Sequence, residues 1–217
     1  MCVQKYTKSL LPAAVCLLIS AVLWMAGLSN ADRELAERLG RQVLRFHVVA
    51  DSNLKSDQEL KLSVRTFLLN RIQEEAGEGS SKEEILSFLE TEGGSLMEEA
   101  SQFIQSNGGD YEARLEIGRS YFPTKVYGDM VFPAGTYDAV KVILGHGKGR
   151  NWWCVLYPSL CFIDETQAIV PDCSKTQLRA MVSDEDYRAL LSVHPKIRFS
   201  LKITEWWDSL WENSSKP

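Results

Sequence analysis

The chain has 217 residues, of which 45% are hydrophobic and 24% charged, as in an ordinary globular protein and unlike a disordered or multi-span membrane chain. Its 29 acidic and 24 basic residues give a net charge of −5, which argues against nucleic acid as a partner because no basic surplus exists. Nothing in this composition indicates an enzyme, a metal or a cofactor.

Residues 1–31 have the pattern of an export segment. Lys5 and Lys8 precede an uncharged apolar run over residues 10–28, and small residues follow up to Ala31. As a helix this run would be about 28 Å long, close to the thickness of a hydrocarbon core. The segment is therefore either a signal peptide cleaved after Ala31 or a retained membrane anchor. In both cases we expect residues 32–217 to form a single exported domain.

The first part of that domain predicts helices around one strand. Residues 32–41 indicate a short polar helix or a stalk, and the β-branched run 43–50 predicts a strand buried on both faces. Ser56 and Glu59 form a capping box that begins a predicted helix over residues 57–76.

Two further capping boxes lie on either side of Gly93 and Gly94. Because a glycine pair commonly interrupts a helix, they predict two helices, at 82–92 and 96–106. A capped helix is also predicted over residues 183–191.

The second half of the chain reads mainly as strands. Alternating or continuous apolar runs predict them at residues 113–117, 137–144, 151–157 and 197–203. The glycine-rich residues 145–150 would join the second and third of these strands as a β-hairpin. Helices and strands in clusters indicate an α+β fold, with a helical segment packed on a mainly antiparallel sheet.

Three cysteines lie beyond the export segment. Thiols tend to pair outside the cytosol, and a turn can bridge the spacing between Cys154 and Cys161. We favour this pair, with Cys173 either free or the partner of one of the others. Two sulfurs without a nearby histidine pair lack the ligand spacing of a zinc site.

Other residues that carry chemistry have structural explanations. The loop 145–150 lacks the helix that follows a phosphate-binding loop, so a tight hairpin is favoured. His47, Asp51 and Asp57 are candidate metal or catalytic residues, but a strand histidine followed by a turn held by Asp51 and Ser52 is favoured. We therefore predict no catalytic and no metal-binding residues.

Tryptophans supply the remaining signal. Trp152 and Trp153 are adjacent on a predicted strand, so they must point to opposite faces. The C-terminal segment 204–217 contains three more, and its apolar positions form one stripe if the segment is helical. Aromatic side chains exposed in this way suit a protein contact or a membrane interface, although burial in the core is the simpler explanation.

Four stretches together resemble one known family. They are RFHVVADSN (45–53), SDQELKLSVR (56–65), YGDMVFPAGTYDAVKVILGHGKGRNWWCVLYPSLCF (127–162) and the amphiphilic C-terminus. In these stretches the chain resembles stage II sporulation protein R of endospore-forming Firmicutes. It departs from the family at residues 51–53, where Asn-Ser-Asp is usual, and at residues 157–161, where Phe-Pro-Pro-Leu-Cys is usual.

The resemblance implies a signalling protein exported from the forespore into the intermembrane space. There it would activate a membrane-embedded aspartic protease of the mother cell, which processes the sigma-E precursor. The residues expected to contact this receptor are Lys148, Arg150, Asn151, Trp152 and Trp153, and residues 10–28 and 204–217 would contact the membrane. The alternatives are an exported hydrolase that uses Cys154 or His47, and a surface binding module anchored in the membrane.

Overall fold

The computed structural model describes residues 30–77, 79–161 and 170–191. The export segment, the predicted strand at 197–203 and the Trp-rich segment 204–217 lie outside those residues. Within the described ranges, no helix is long and apolar enough to cross a membrane.

The chain forms a mixed α+β fold. Helix α1 covers residues 30–39, so this segment is a helix rather than a stalk. The elements that follow are β1 (Leu44–Val49), α2 (Lys55–Ala76), α3 (Lys82–Ser106), β2 (Ala113–Phe122), β3 (Lys125–Tyr127), β4 (Met130–Phe132), β5 (Gly135–Leu144), β6 (Asn151–Tyr157), α4 (Asp172–Met181) and α5 (Asp184–Leu191).

Four strands form the main sheet in the order β2-β5-β1-β6. Strand β1 is parallel to β5 and antiparallel to β6, and β2 is antiparallel to β5, so the sheet is mainly antiparallel. The predicted hairpin of β5 and β6 is wrong, because β1 lies between them. All six residues of β1 are buried, as predicted, and such a strand is most stable with a partner on each edge.

Helices α2 and α3 and the small β3–β4 hairpin cover opposite faces of this sheet. Helices α2 and α3 pack on the face that contains Phe46, where apolar side chains of both helices join the core. On the other face the buried guanidinium of Arg45 lies 4.5 Å from the ring centre of Phe122 and 5.6 Å from that of Phe132. Strand β4 of the small β3–β4 hairpin therefore covers this second face.

The capping box predicted at Ser56 is absent. Helix α2 begins at Lys55, and Ser56 and Glu59 lie inside it; Glu59 pairs with Lys55 at 3.6 Å. The amide of Leu54, which precedes the helix, donates instead to Oγ of Ser52 at 3.0 Å. A hydroxyl outside the helix thus satisfies this amide, and Ser56 has no capping role.

Gly93 and Gly94 do not interrupt the helix, so the two predicted helices are one continuous helix α3. A Cβ placed on Gly93 would lie 2.5 Å from Cδ2 of Leu115 on β2, whereas one on Gly94 would meet nothing within 4 Å. Gly93 therefore permits close contact between helix and sheet, and burial of the helix outweighs the weak helix propensity of the pair.

This difference predicts opposite results for two similar substitutions. Gly94→Ala should raise the free energy of unfolding by about 0.5–1 kcal/mol, because alanine favours the helix at this exposed position. Gly93→Ala should not bring this gain, since its methyl group displaces Leu115. Urea unfolding of both variants tests the prediction, and equal stabilisation would contradict the packing role of Gly93.

The sequence pattern missed or shortened other elements. Strand β2 extends to Phe122 rather than ending at residue 117, and neither the β3–β4 hairpin nor helix α4 was predicted. Helix α5 confirms the helix expected at residues 183–191 within one residue.

Candidate protein-interaction site

The site is built around the β5–β6 loop, residues 145–150, which passes over the end of β1. All six of its backbone amides donate hydrogen bonds within the protein, and four of them donate to residues 50–53. The amide of His146 donates to Oδ1 of Asp51 at 2.6 Å. Those of Lys148 and Gly149 donate to the carbonyls of Asp51 and Ala50 at 3.0 and 2.9 Å.

The fourth amide, that of Arg150, donates to Oδ1 of Asn53 at 2.9 Å. These bonds fasten the loop to residues 50–53, which we call the β1–α2 turn. They also leave these amides unavailable to a phosphate group, so the glycines serve close packing rather than anion binding.

Asp51 is the central acceptor of this arrangement. Its Oδ1 also lies 2.8 Å from Nδ1 of His146. The backbone hydrogen bond from His146 is the largest cause that lowers the pKa of the Asp51 carboxyl, and the contact with the imidazole adds to it. Asp51 therefore stays ionised and holds the loop by charge-assisted hydrogen bonds.

The β1–α2 turn is fixed from its other side as well. Ser52 Oγ donates to Oδ2 of Asp57, and the Tyr111 hydroxyl donates to Oδ1 of the same carboxylate at 3.2 Å. Burial, together with the nearby Asp57 charge, raises the pKa of Tyr111, so this hydroxyl remains a donor. Turn and loop therefore form one hydrogen-bonded unit.

Strand β6 carries the two adjacent tryptophans to opposite faces of the sheet. Trp152 lies on the helical face, where its ring meets Phe46 edge-on and the guanidinium of Arg65 lies 4.7 Å from its centre. Trp153 lies on the second face, stacked on His47 at 5.6 Å and with the Lys125 ammonium at 5.3 Å. Both rings are half-buried, so each presents part of its surface to solvent.

The predicted contact residues therefore fall into two groups, one on the loop and the helical face and the other on the second face. Lys148 and Arg150 are exposed on the loop. The Asn151 side chain accepts a hydrogen bond at 2.7 Å from Nε2 of His47, which makes it part of the second face. A partner that approaches the helical face thus meets Arg150 and Trp152, but not Trp153.

His47 is held as a neutral imidazole. Burial is the largest effect and lowers its pKa below the ordinary value of 6.5. Its Nδ1 is buried and has no hydrogen-bond partner among the described residues. A second proton on the ring would therefore have no acceptor in the folded state.

This environment predicts a loss of stability in acid. The unfolded chain binds a proton at His47 more readily than the folded chain, so the free energy of unfolding should fall as the pH drops below about 6.5. The loss should be smaller in His47→Gln, which keeps an amide donor for Asn151. Urea unfolding at about pH 7.5 and about pH 5.5 measures the difference. Equal pH dependence of both proteins would contradict the role of His47.

The cysteine prediction agrees with the structure. Cys154 and Cys161 form a disulfide with Cα atoms 5.0 Å apart, and Cys173 is free and exposed. The amide of Leu160 donates to the Val155 carbonyl at 3.0 Å, so the disulfide and this hydrogen bond fold the same turn against β6. A bonded sulfur cannot act as a nucleophile, so Cys154 does not supply the thiol that a cysteine hydrolase needs.

The structure does not unite the candidate metal residues either. His47 contacts Asn151, Asp51 contacts His146, and Asp57 contacts Ser52. Among the residues that the structure describes, no group of three or more His, Cys, Asp or Glu side chains is arranged to hold a metal ion.

A separate cleft of about 670 Å³ lies between the end of α2, the turn after β6 and helix α4. Its described lining is mainly apolar, with Leu69, Ile72 and Leu156, and includes the free Cys173. No Asp, Glu, Lys, Arg or His side chain is among these described lining residues.

Sequence reasoning missed the part of the site that α2 contributes. Lys61 Nζ donates to the carbonyl of Arg150 at 3.1 Å, and Arg65 lies on the ring of Trp152. A signal was present in the sequence, since two cations four residues apart lie next to the apolar positions Leu60 and Val64.

Comparison with known proteins gives this arrangement a family. Residues 40–167, which include the whole site and the disulfide, match the family described as stage II sporulation protein R. The chain is also 32% identical over 157 residues to stage II sporulation protein R of Bacillus subtilis strain 168, covering 69% of this chain and 70% of that protein. No solved structure matches the chain. From these matches, the chain belongs to the stage II sporulation protein R family.

Proposed function

We propose that this protein is an exported signal that activates a membrane-embedded aspartic protease of the mother cell, which then processes the sigma-E precursor. Family membership supports a role in sporulation. The observation that carries the signalling role is the fixed β5–β6 loop, which presents exposed cations beside a half-exposed tryptophan within the residues that match the family.

The proposed mechanism is binding without chemistry. A ligand shifts the equilibrium of a receptor only if it binds the active state more tightly than the inactive one. A loop already held by hydrogen bonds loses little conformational entropy on binding, so more of the contact energy remains for this discrimination. Lys148, Arg150 and Trp152 are the side chains that we propose contact the receptor.

Reconstitution tests this function. The full-length, oxidised protein is added to vesicles that contain the protease and its sigma-E precursor substrate. We expect precursor cleavage only when both proteins are present. Cleavage by the protease alone at an unchanged rate, or by this protein without the protease, would contradict the proposal.

A substitution in the same assay separates a signal from a hydrolase. If the protein acts as a signal, His47→Gln should still stimulate cleavage in proportion to the folded protein, because His47 is a structural residue on β1. A hydrolase that depends on His47 would lose all activity while the fold survives.

We further propose that the protein acts in the space between forespore and mother cell, after export through residues 1–31. Mass spectrometry of the protein recovered from sporulating cells distinguishes the two forms of this segment. A mature N-terminus at Asp32 indicates a cleaved signal, whereas an intact N-terminus indicates an anchor.

A further inference from the structure

One face of the site concentrates positive charge in a protein that is acidic overall. Lys61 and Arg65 lie one helical turn apart on α2, and Arg150 lies beside them on the loop. The Lys61 ammonium donates to the Arg150 carbonyl at 3.1 Å and to Oε1 of Gln58 at 2.8 Å. We call Lys61, Arg65, Arg150 and Trp152 the cationic face.

The charge of this face is not neutralised where it is buried most deeply. Lys61 is only 5% exposed. Burial is the largest cause that lowers its pKa, and repulsion by Arg150 and Arg65 lowers it further. Among the ion pairs of the described part of the chain, none includes Lys61 or Arg150. An added carboxylate would therefore relieve the repulsion between these cations.

Apolar surface continues from the cationic face along α2. A shallow groove of about 570 Å³ begins at Arg65 and is lined by Leu62, Phe67 and Phe103. Leu62 is 41% exposed, and the rings of Phe67 and Phe103 stack with centroids 4.9 Å apart. A ligand held at the cations would reach this groove with its neighbouring side chains.

We propose that the cationic face binds an Asp or Glu side chain of the receptor protein, and that apolar residues next to this carboxylate lie in the groove. This inference rests on the proposed function and adds the chemistry that the receptor must present. The exposed guanidinium of Arg150 suits this ligand, because a guanidinium can donate two parallel hydrogen bonds to a carboxylate. Trp152 holds the Arg65 guanidinium nearby by a cation–π contact.

Charge reversal tests the inference with the full-length protein and the protease in vesicles. Arg150→Glu changes an exposed side chain, so the fold should survive. We expect about a tenfold or greater rise in the concentration of this protein that gives half-maximal binding to the protease. The concentration that gives half-maximal cleavage of the precursor should rise by the same factor. The matched control is Arg33→Glu on α1, whose side chain is 72% exposed and far along the chain from the site. It should behave as the unmodified protein.

Two further measurements identify the ligand as a carboxylate. Raising the salt from about 0.05 to about 0.5 M should weaken binding of the unmodified protein more than that of Arg150→Glu, because the variant has lost the attraction that salt screens. Replacing Asp and Glu residues on the outward face of the protease by Lys, one at a time, should identify one variant that restores the activity of Arg150→Glu.

The outcomes separate this inference from the proposed function. If the unmodified protein stimulates cleavage and Arg150→Glu does so equally well, the carboxylate site is wrong and the signalling function stands. If the protein binds the protease through Arg150 but does not stimulate cleavage, the function is wrong and the site stands. If it neither binds nor stimulates, both are wrong.

Discussion

Gly149→Ala should lower the free energy of unfolding by about 3 kcal/mol and displace the β5–β6 loop from the β1–α2 turn. A Cβ at this position would lie 2.2 Å from the carbonyl oxygen of Ser52 and 2.8 Å from Cβ of Ala50. The clash is with the backbone of Ser52, so a rotamer change cannot relieve it. Overpacking of this kind commonly costs about 1–3 kcal/mol and sometimes more. The loop must therefore move away from the β1–α2 turn.

Thermal and urea unfolding of the purified protein measure this loss. For a domain of this size it should lower the melting temperature by about 6–12 °C. The control is Gly118→Ala on β2, where a Cβ would meet nothing within 4 Å. If both variants unfold under the same conditions, the loop does not pack on the turn as described.

Loss of the disulfide should be almost as severe. Cys154 and Cys161 are separated by seven positions, and closing so short a loop stabilises the folded state by about 2.5 kcal/mol in the chain-entropy estimate. We expect a double Cys154→Ala, Cys161→Ala variant to lose about this amount of the free energy of unfolding. The turn that the bond fastens against β6 should also become more open to proteolysis.

The third cysteine provides the control for this experiment. Cys173 is free and exposed, so Cys173→Ser should leave the stability nearly unchanged. Reduction of the unmodified protein should reproduce the loss seen in the double variant. If reduction and the double substitution both leave the unfolding curve in place, the disulfide does not contribute to stability.

Local patterns were sufficient to predict most elements but not their pairing. The buried run of β1 and the periodicity of α2 are properties of neighbouring residues, so both were predictable. The position of β1 between β5 and β6 was not, because the same two sequences suit a hairpin equally well. The need of β1 for partners on both edges decides the order, and that need appears only when the whole sheet is considered.

Glycines were misread for a related reason. Gly93 and Gly94 reduce the local preference for a helix by about 1 kcal/mol each, and the sequence shows only this cost. Contact with Leu115 and burial of the flanking apolar side chains keep α3 continuous. Tertiary packing of this kind cannot be predicted from the few residues around a glycine pair, because the residue that packs on it lies elsewhere in the chain.

The part of the site on the β5–β6 loop could be predicted from the sequence, whereas the part on helix α2 was missed. Arg150 and Trp152 stand out in a glycine- and tryptophan-rich stretch, whereas Lys61 and Arg65 look like the polar side of an ordinary amphipathic helix. Only the packing of α2 beside β6 brings the two cations to Arg150 and Trp152.

The place of β1 in the sheet also sets an order of events during synthesis. The ribosome makes residues 44–49 early, yet their hydrogen-bonded neighbours are residues 138–143 and 151–157. A nascent chain therefore holds its central strand without its first partner until residue 143 has been made and without its second until residue 157, and pairing over such separations is slow. Until then the main sheet cannot be completed, so this part of the chain stays unfolded during most of its synthesis.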